Sequence, residues 1–288
     1  MSLLIKISNE AGRLKSKAKQ RLARFKRAAR RGRSMEIEVI TMMYNEAIMA
    51  PLFVRHYAPW VDKITVLYSR STDDTRKQLE RTAKEFGKLR LNLVPFEFPK
   101  GFDDHLKMHR INQAVRESSA DFAICVDADE FVHPWPFDQA NPRAELARES
   151  GEVVYCAMFE VYRHATEPDI DPTQPPLFQR RHGVFEQFNQ LEMSKDRYTK
   201  PCIVRPDSGA QFDIGCHLLL MPKRGSTIWR GVHWGWADNF CLMRYLRDRR
   251  DRLSDNNRQN KFGLEKMYAT QESVSAELKA HAQDPKLF

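Results

Sequence analysis

The chain has 288 residues, 42% of them hydrophobic, which is enough for a sizeable core and too apolar for a chain disordered throughout. Its formal charge of +9 is concentrated: residues 1–34 carry twelve Lys or Arg and one acid, leaving −2 for the rest, so the body lacks the basic surface of a nucleic-acid track. No apolar stretch approaches the roughly 18 to 20 residues of a membrane-spanning helix, and Leu3, Leu4, Ile5 and Ile7 precede the basic residues, which argues against a secretory signal.

Between Gly12 and Arg33, Leu14, Ala18, Leu22, Phe25 and Ala29 recur every three or four residues among Lys and Arg, the pattern of a basic amphipathic helix. Such an arm lies on an anionic membrane surface, pairs with nucleic-acid phosphates, or stays solvated. With no Trp or Tyr to stack on bases, the nucleic-acid reading is the weakest.

The body opens with a β-branched run, Ile37 to Met43, then Tyr44-Asn45-Glu46 and a helical pattern through Leu52, Val54 and Tyr57. Lys63 to Tyr68 is a second strand, after which Ser71-Thr72-Asp73-Asp74-Thr75 offers caps for a helix from Arg76 to Phe86. Leu91 to Phe96 reads as a third strand, His109 to Ser118 as a helix, and Phe122 to Val126 as a fourth strand. Strands alternating with helices predict right-handed βαβ units and a mainly parallel sheet flanked by helices, an α/β fold. In open sheets of that class ligands bind outside the carboxyl ends of the strands. Asn45, Ser71 to Thr75 and Asp127 to Glu130 all fall there, so three polar loops share one rim.

Residues 121 to 131 read Asp-Phe-Ala-Ile-Cys-Val-Asp-Ala-Asp-Glu-Phe. The strand period of two puts Asp127 and Asp129 on one side. Two converging carboxylates repel each other unless a cation neutralises them, and hard ions such as Mg²⁺ or Mn²⁺ prefer oxygen ligands. Glu130 falls on the opposite side, where it can anchor the loop. Beyond it, Val153 to Val161 predicts a strand, Pro168 to Pro176 a loop, Ile203 to Arg205 and His217 to Met221 short strands, and Asn239 to Leu253 a charged helix. Five scattered cysteines without a CxxC pair predict reduced core thiols and a cytoplasmic location, peripheral to the inner membrane face if the arm binds there. The expected division is an arm at 1–34, one domain at 35–255 and a helical tail at 256–288.

The succession Thr41-Met-Met-Tyr-Asn-Glu-Ala47, Ser71-Thr-Asp-Asp-Thr75 and Asp127-Ala-Asp-Glu-Phe131 resembles the family 2-like glycosyltransferases of the GT-A fold. Fainter similarity continues at Lys200 to Pro206 and Gly231-Val-His-Trp, so it covers roughly residues 36 to 250. The resemblance implies a GT-A-like sheet, Mn²⁺ or Mg²⁺ as cofactor, and a nucleotide-diphosphate sugar as donor, a UDP-sugar by analogy. It implies a glycan or lipid-linked acceptor and transfer with inversion. It places Asp127, Asp129 and a late histidine at the metal, His233 with His217 as rival, and Tyr44, Asn45, Glu46, Asp73, Asp74, Arg110 and Asp127 at the donor. Where many members carry an Asp for the base, this chain has Tyr68 and Ser69. Inversion needs a general base; Glu186 leads, followed by Glu160, with Glu192 and Asp238 as further acids. Trp229, Trp234 and Trp236 offer faces for an acceptor sugar, or fill a core.

Overall fold

The structure, a computed structural model, describes residues 34–185, 199–221, 223–238, 252–260 and 270–287. Ile37–Met43 (β1), Lys63–Tyr68 (β2), Arg90–Pro95 (β3) and Phe122–Cys125 (β4) pair in parallel in the order β3-β2-β1-β4. Their connections carry the helices Met49–Tyr57 (α1), Thr75–Lys84 (α2) and Asp104–Glu117 (α3). β1 and β4 are almost wholly buried, because a parallel sheet is covered on both faces, and this is why they read as unbroken apolar runs. β3 is the open edge, with Arg90, Asn92 and Pro95 exposed, residues that discourage pairing with another chain.

α3 starts five residues before the predicted His109, because Asp103 caps it by accepting from the Leu106 N–H at 2.9 Å. At α2, Asp74 occupies the cap position without a side-chain bond, and Asp73 instead accepts from the Thr75 N–H at 2.9 Å.

The second half adds Glu130–Pro134 (β5), the helix Pro142–Arg148 (α4), Val153–Tyr162 (β6), Gly183–Phe185 (β7), Thr199–Val204 (β8) and Gly225–Trp236 (β9). The sheet continues as β4-β8-β6-β9-β5, with β7 on β6. The expected α/β fold with a parallel central sheet is therefore present, and antiparallel β8, β7 and β5 extend it. His217 to Met221 is not a strand: positive φ at Gly215 (70°) and Cys216 (59°) turns the chain, and only the Phe212–Leu219 bridge forms. The basic arm and most of the helix expected at Asn239 to Leu253 lie outside the described residues. Of the tail, Asp255–Gln259 (α5) and Gln271–Ala280 (α6) are helical, and His281 stacks on Tyr162 at 3.8 Å. Among the described residues no helix is long and apolar enough to cross a membrane.

β5 lies four places from β4 in the sheet order, about 19 Å if the sheet were flat, yet only residues 126–129 connect them. Five steps of extended chain reach about 17 Å, and the Glu130 N–H shortens the link by donating to the Asp127 carbonyl at 3.1 Å. The sheet must curl. Lys200 of β8 closes the curl with bonds of 2.5 and 2.8 Å to the Glu130 carboxylate of β5, and Tyr57 of α1 supports it by donating to the Glu130 carbonyl at 2.8 Å. Phe53, Tyr57, Phe131, Trp229 and Trp234 fill the core on this side, while Met108, Ile111 and Val115 of α3 pack with Phe212 and Cys216 in a second core. Cys125, Cys156, Cys202 and Cys216 are free and buried in these cores, as expected of core thiols, and Cys241 lies outside the described residues.

His56 of α1 is buried among Tyr57, Trp60 and Phe131 and donates from Nε2 to the Val132 carbonyl at 3.0 Å. Burial, helped by nearby His133, pushes its imidazole down to about 3. The folded chain keeps it neutral while the unfolded chain takes up a proton from about pH 6.5, so this stability is complete above that pH and is lost as pH falls toward 3. In urea titrations at pH 7 and pH 5, His56→Gln should lose about 2 kcal/mol less on acidification than the wild type, from about 1.4 kcal/mol per pH unit. Equal losses would show that His56 is protonated when folded.

Candidate functional site at the sheet rim

The loops after β1 and β2 form one bonded piece. Asn45 adopts φ 52°, a conformation that Asn tolerates through its short amide. Its Oδ1 accepts from the Thr72 N–H at 2.8 Å, its Nδ2 donates to Thr72 Oγ1 at 3.1 Å, and its N–H donates to Ser71 Oγ at 3.1 Å. Asp73 accepts from the Ala47 N–H at 3.1 Å, and Thr75 Oγ1 accepts from the Glu46 N–H at 2.7 Å. Asn45 and Asp73, expected at the donor, thus shape the rim with their side chains. Glu46 is buried beside them, Asp74 is exposed, and the Tyr44 ring lies 3.1 Å beneath the Arg252 guanidinium.

The acid loop stands on the same rim. Cys125 pairs with Ile40, which sets Asp127 level with Met42, three residues before Asn45. Lys107 of α3 donates to Asp127 Oδ1 at 2.5 Å. Burial alone would raise the Asp127 carboxyl, and Lys107 with Lys200 outweighs it, holding the group well below the usual carboxylate range. Glu130 anchors the loop as expected: its Oε2 accepts from the Asp127 N–H at 2.8 Å, and Lys200 caps both its oxygens.

Asp129 is 1% exposed and faces His233, whose Nε2 lies 3.6 Å from Oδ2. Register explains the meeting: His233 of β9 pairs with Glu130 of β5 on one side and Glu160 of β6 on the other. His233 Nδ1 lies 2.7 Å from Glu160 Oε2. Burial would lower the imidazole, but Glu160 and Asp129 together raise it well above the ordinary histidine value. A Cβ on Gly235 would come within 3.1 Å of both Glu160 Oε1 and the His233 ring, so the glycine permits this close approach. His217, the rival, is pushed down to about 3 by burial and by Lys200, and stays neutral.

Among the described residues no group of three or more His, Cys, Asp and Glu side chains converges as a ready metal cage. What converges is a pair, Asp129 with His233 Nε2, while the nearer oxygen of Asp127 is bound to Lys107. Mg²⁺ and similar ions are commonly held by one or two protein groups and completed by phosphate oxygens and water. A histidine whose other nitrogen meets a carboxylate is the usual oriented ligand. The pair therefore fits such an ion, with Asp127 displaced from the predicted set to a lysine partner.

Other expectations change. Glu160 backs His233 rather than standing free as a base, and Asp238 is held by Arg180 at 2.6 Å and Arg163 at 3.3 Å. Glu186 and Glu192 lie outside the described residues. Arg110 is exposed, bonded to Gln113 and set over the Phe96 ring; the residue of α3 that meets the acid loop is Lys107, one turn earlier. Trp229 and Trp234 are core residues, 1% and 0% exposed, because both sit under the curl, and the Trp236 side chain is not among those described. Lys107 left a readable trace, since it shares the i, i+4, i+8 line of Ile111 and Val115.

Fold and rim together define an α/β protein with a curled, mainly parallel sheet and a polar, acid-bearing carboxyl edge. Solved structures similar to the chain are glycosyltransferases, each matched in part. They include mannosyltransferase PcManGT from Pyrobaculum calidifontis in complex with GDP-Man and Mn²⁺ (25% identity, 43% of this chain and 35% of that one, TM-score 0.34). TarS 1-349 of S. aureus is 18% identical over 70% of this chain and 59% of that one (TM-score 0.38). Glucosyl-3-phosphoglycerate synthase from Mycobacterium tuberculosis, in complex with Mn²⁺, UDP and phosphoglyceric acid, is 22% identical over 46% and 45% (TM-score 0.30). The chain spans about a third to three fifths of the length of these structures. No protein-family profile and no curated protein matches it.

Asn45→Ala should lower stability more than Asn45→Gly, by about 1 kcal/mol, since both lose the amide bonds and only alanine resists positive φ. Thermal melts of the two variants check this; equal melting temperatures would mean the αL turn relaxes without cost.

Proposed function

We propose that the chain is a metal-dependent glycosyltransferase that moves a sugar from a nucleotide-diphosphate donor to a glycan or lipid-linked acceptor with inversion. The observation that carries this reading is the Asp129–His233 pair, backed by Glu160, on the same carboxyl rim as the bonded Asn45 and Ser71 to Thr75 loops. Asp129 and His233 Nε2 would hold Mn²⁺ or Mg²⁺, which when bound neutralises charge on the departing diphosphate. Glu160 keeps the imidazole turned toward Asp129. Tyr44, Glu46 and Asp74 border the place for the nucleoside, with uridine favoured. Glu186 is retained as the base that takes the acceptor proton, because Glu160 and Asp238 are committed to His233 and to arginines. The basic arm holds the protein against an anionic membrane face where a lipid-linked acceptor resides.

Incubation with a panel of nucleotide sugars and Mn²⁺ should give donor hydrolysis or transfer, lost by at least a hundredfold in Asp129→Asn. Tight donor binding without turnover on any acceptor would instead support a non-catalytic nucleotide-sugar-binding module. Glu160→Gln should weaken Mn²⁺ binding about 10- to 100-fold, read by the paramagnetic resonance of free Mn²⁺, and an unchanged affinity would remove Glu160 from the site. Deleting residues 1–34 should abolish sedimentation with anionic liposomes while donor binding persists; if sedimentation is unaltered, the membrane assignment fails.

A further inference from the structure

Each acid on the loop already has a cation of the protein's own: Lys107 for Asp127, Lys200 for Glu130, and His233, shared with Glu160, for Asp129. Two of these cations are consumed. Lys200 spends its ammonium on both oxygens of Glu130 and is 1% exposed, and the His233 ring is gripped from both sides. Lys107 differs. An ammonium has three N–H donors, and among the described residues Lys107 gives one bond, to Asp127 Oδ1. The side chain of Lys107 is 9% exposed while that of Asp127 is 34% exposed, so solvent reaches the pair from the carboxylate side, at the rim. A desolvated ammonium with unspent donors, behind a carboxylate that itself faces the rim, is a built anion site with its own carboxylate as the resident counter-ion.

On the donor reading above, we propose that Lys107 is a second, fixed cation of the donor site, which binds the diphosphate of a nucleotide in company with, and in the absence of, the divalent ion. The argument is one of charge and reach. Lys107 is buried on α3, on the i, i+4 line of Ile111 and Val115, and its ammonium is tied to Asp127, which holds the charge at this place. A diphosphate brings two or more negative charges to a rim whose acids are already paired, and it offers Lys107 acceptors for the donors that Asp127 leaves unused. Asp127 then serves as a positioning residue: it holds the ammonium at the rim before the donor arrives. The acid loop is also preformed, because its repulsions are cancelled without a metal.

The test is calorimetric titration of the full chain with UDP and with GDP, in EDTA and in Mn²⁺. The wild type should bind one of the two nucleotides in EDTA, and Lys107→Met should weaken that binding at least tenfold, while Lys107→Arg retains it within a few fold. Because Lys107→Met strands Asp127 in a half-buried place, the double variant Lys107→Met with Asp127→Asn removes both charges. It should show a wild-type circular dichroism spectrum, bind nucleotide in EDTA as poorly as the single variant, and keep Mn²⁺ binding through Asp129 and His233. Wild-type binding that appears only with Mn²⁺, or undiminished binding by either methionine variant in EDTA, overturns the role of Lys107 alone. No nucleotide bound under any condition overturns the donor reading itself.

Discussion

The curl between β4 and β5 is the constraint on which the rest depends. Four linking residues cannot cross a flat sheet of this strand order, so the sheet bends until β5, paired with β9, comes back within reach of Lys200 of β8, and the Lys200–Glu130 pair is the bond that this return allows. The curl also decides where the acids go. Had β5 run on beside β4, Asp127 to Glu130 would be an ordinary strand exit; instead the loop is pulled across the mouth of the sheet, where α3, β8 and β9 each present a cation to it. Removing one partner of a buried pair of this kind typically costs about 3 to 5 kcal/mol, because the charge left behind has no water to turn to. Lys200 and Glu130 therefore hold the fold and the acid loop at once, since Glu130 also accepts from the Asp127 N–H and Lys200 also lowers the Asp127 carboxyl.

The electrostatics of the rim follow from that geometry. Asp127, Asp129, Glu130 and Glu160 meet Lys107, Lys200 and His233, while His217 stays neutral chiefly because it is buried, with Lys200 and Lys107 acting in the same direction. The site is close to balanced before any ligand arrives. A balanced, desolvated cluster is rigid, and fixed charges of that kind interact strongly with an incoming anion because they need no reorganisation. The stitched Asn45 and Asp73 loops extend the rigidity to the neighbouring part of the rim.

Much of this was readable in the chain. Period-two and continuous apolar runs locate β1 to β4, and the position of Glu130 after the acids gives the anchor, whereas Asp127 pairs with Lys107 and Asp129 with His233. Register was not readable: that His233 would lie between Glu130 and Glu160 depends on β9 pairing with β5 and β6, contacts more than seventy residues apart. Lys107 was missed for a local reason. Taking α3 from His109 cut off its first turn, so the lysine fell outside the apolar line that would have marked it as buried. The resemblance places Asp73 and Asn45 at the donor, and short polar residues on a rim suit both recognition and turn-making; in the structure their side chains bond between the two loops.

The cations that answer the acid loop come from α3, β8 and β9, segments far apart in the chain, and each is matched to one or two particular carboxylates. No single substitution can therefore move the site to a new composition without leaving a charge buried alone. Drift at this rim is confined to coordinated exchanges, positions 107 with 127, 130 with 200, and 233 with 129 and 160, so these groups would change together across descendants of this chain while the exposed residues around them vary singly.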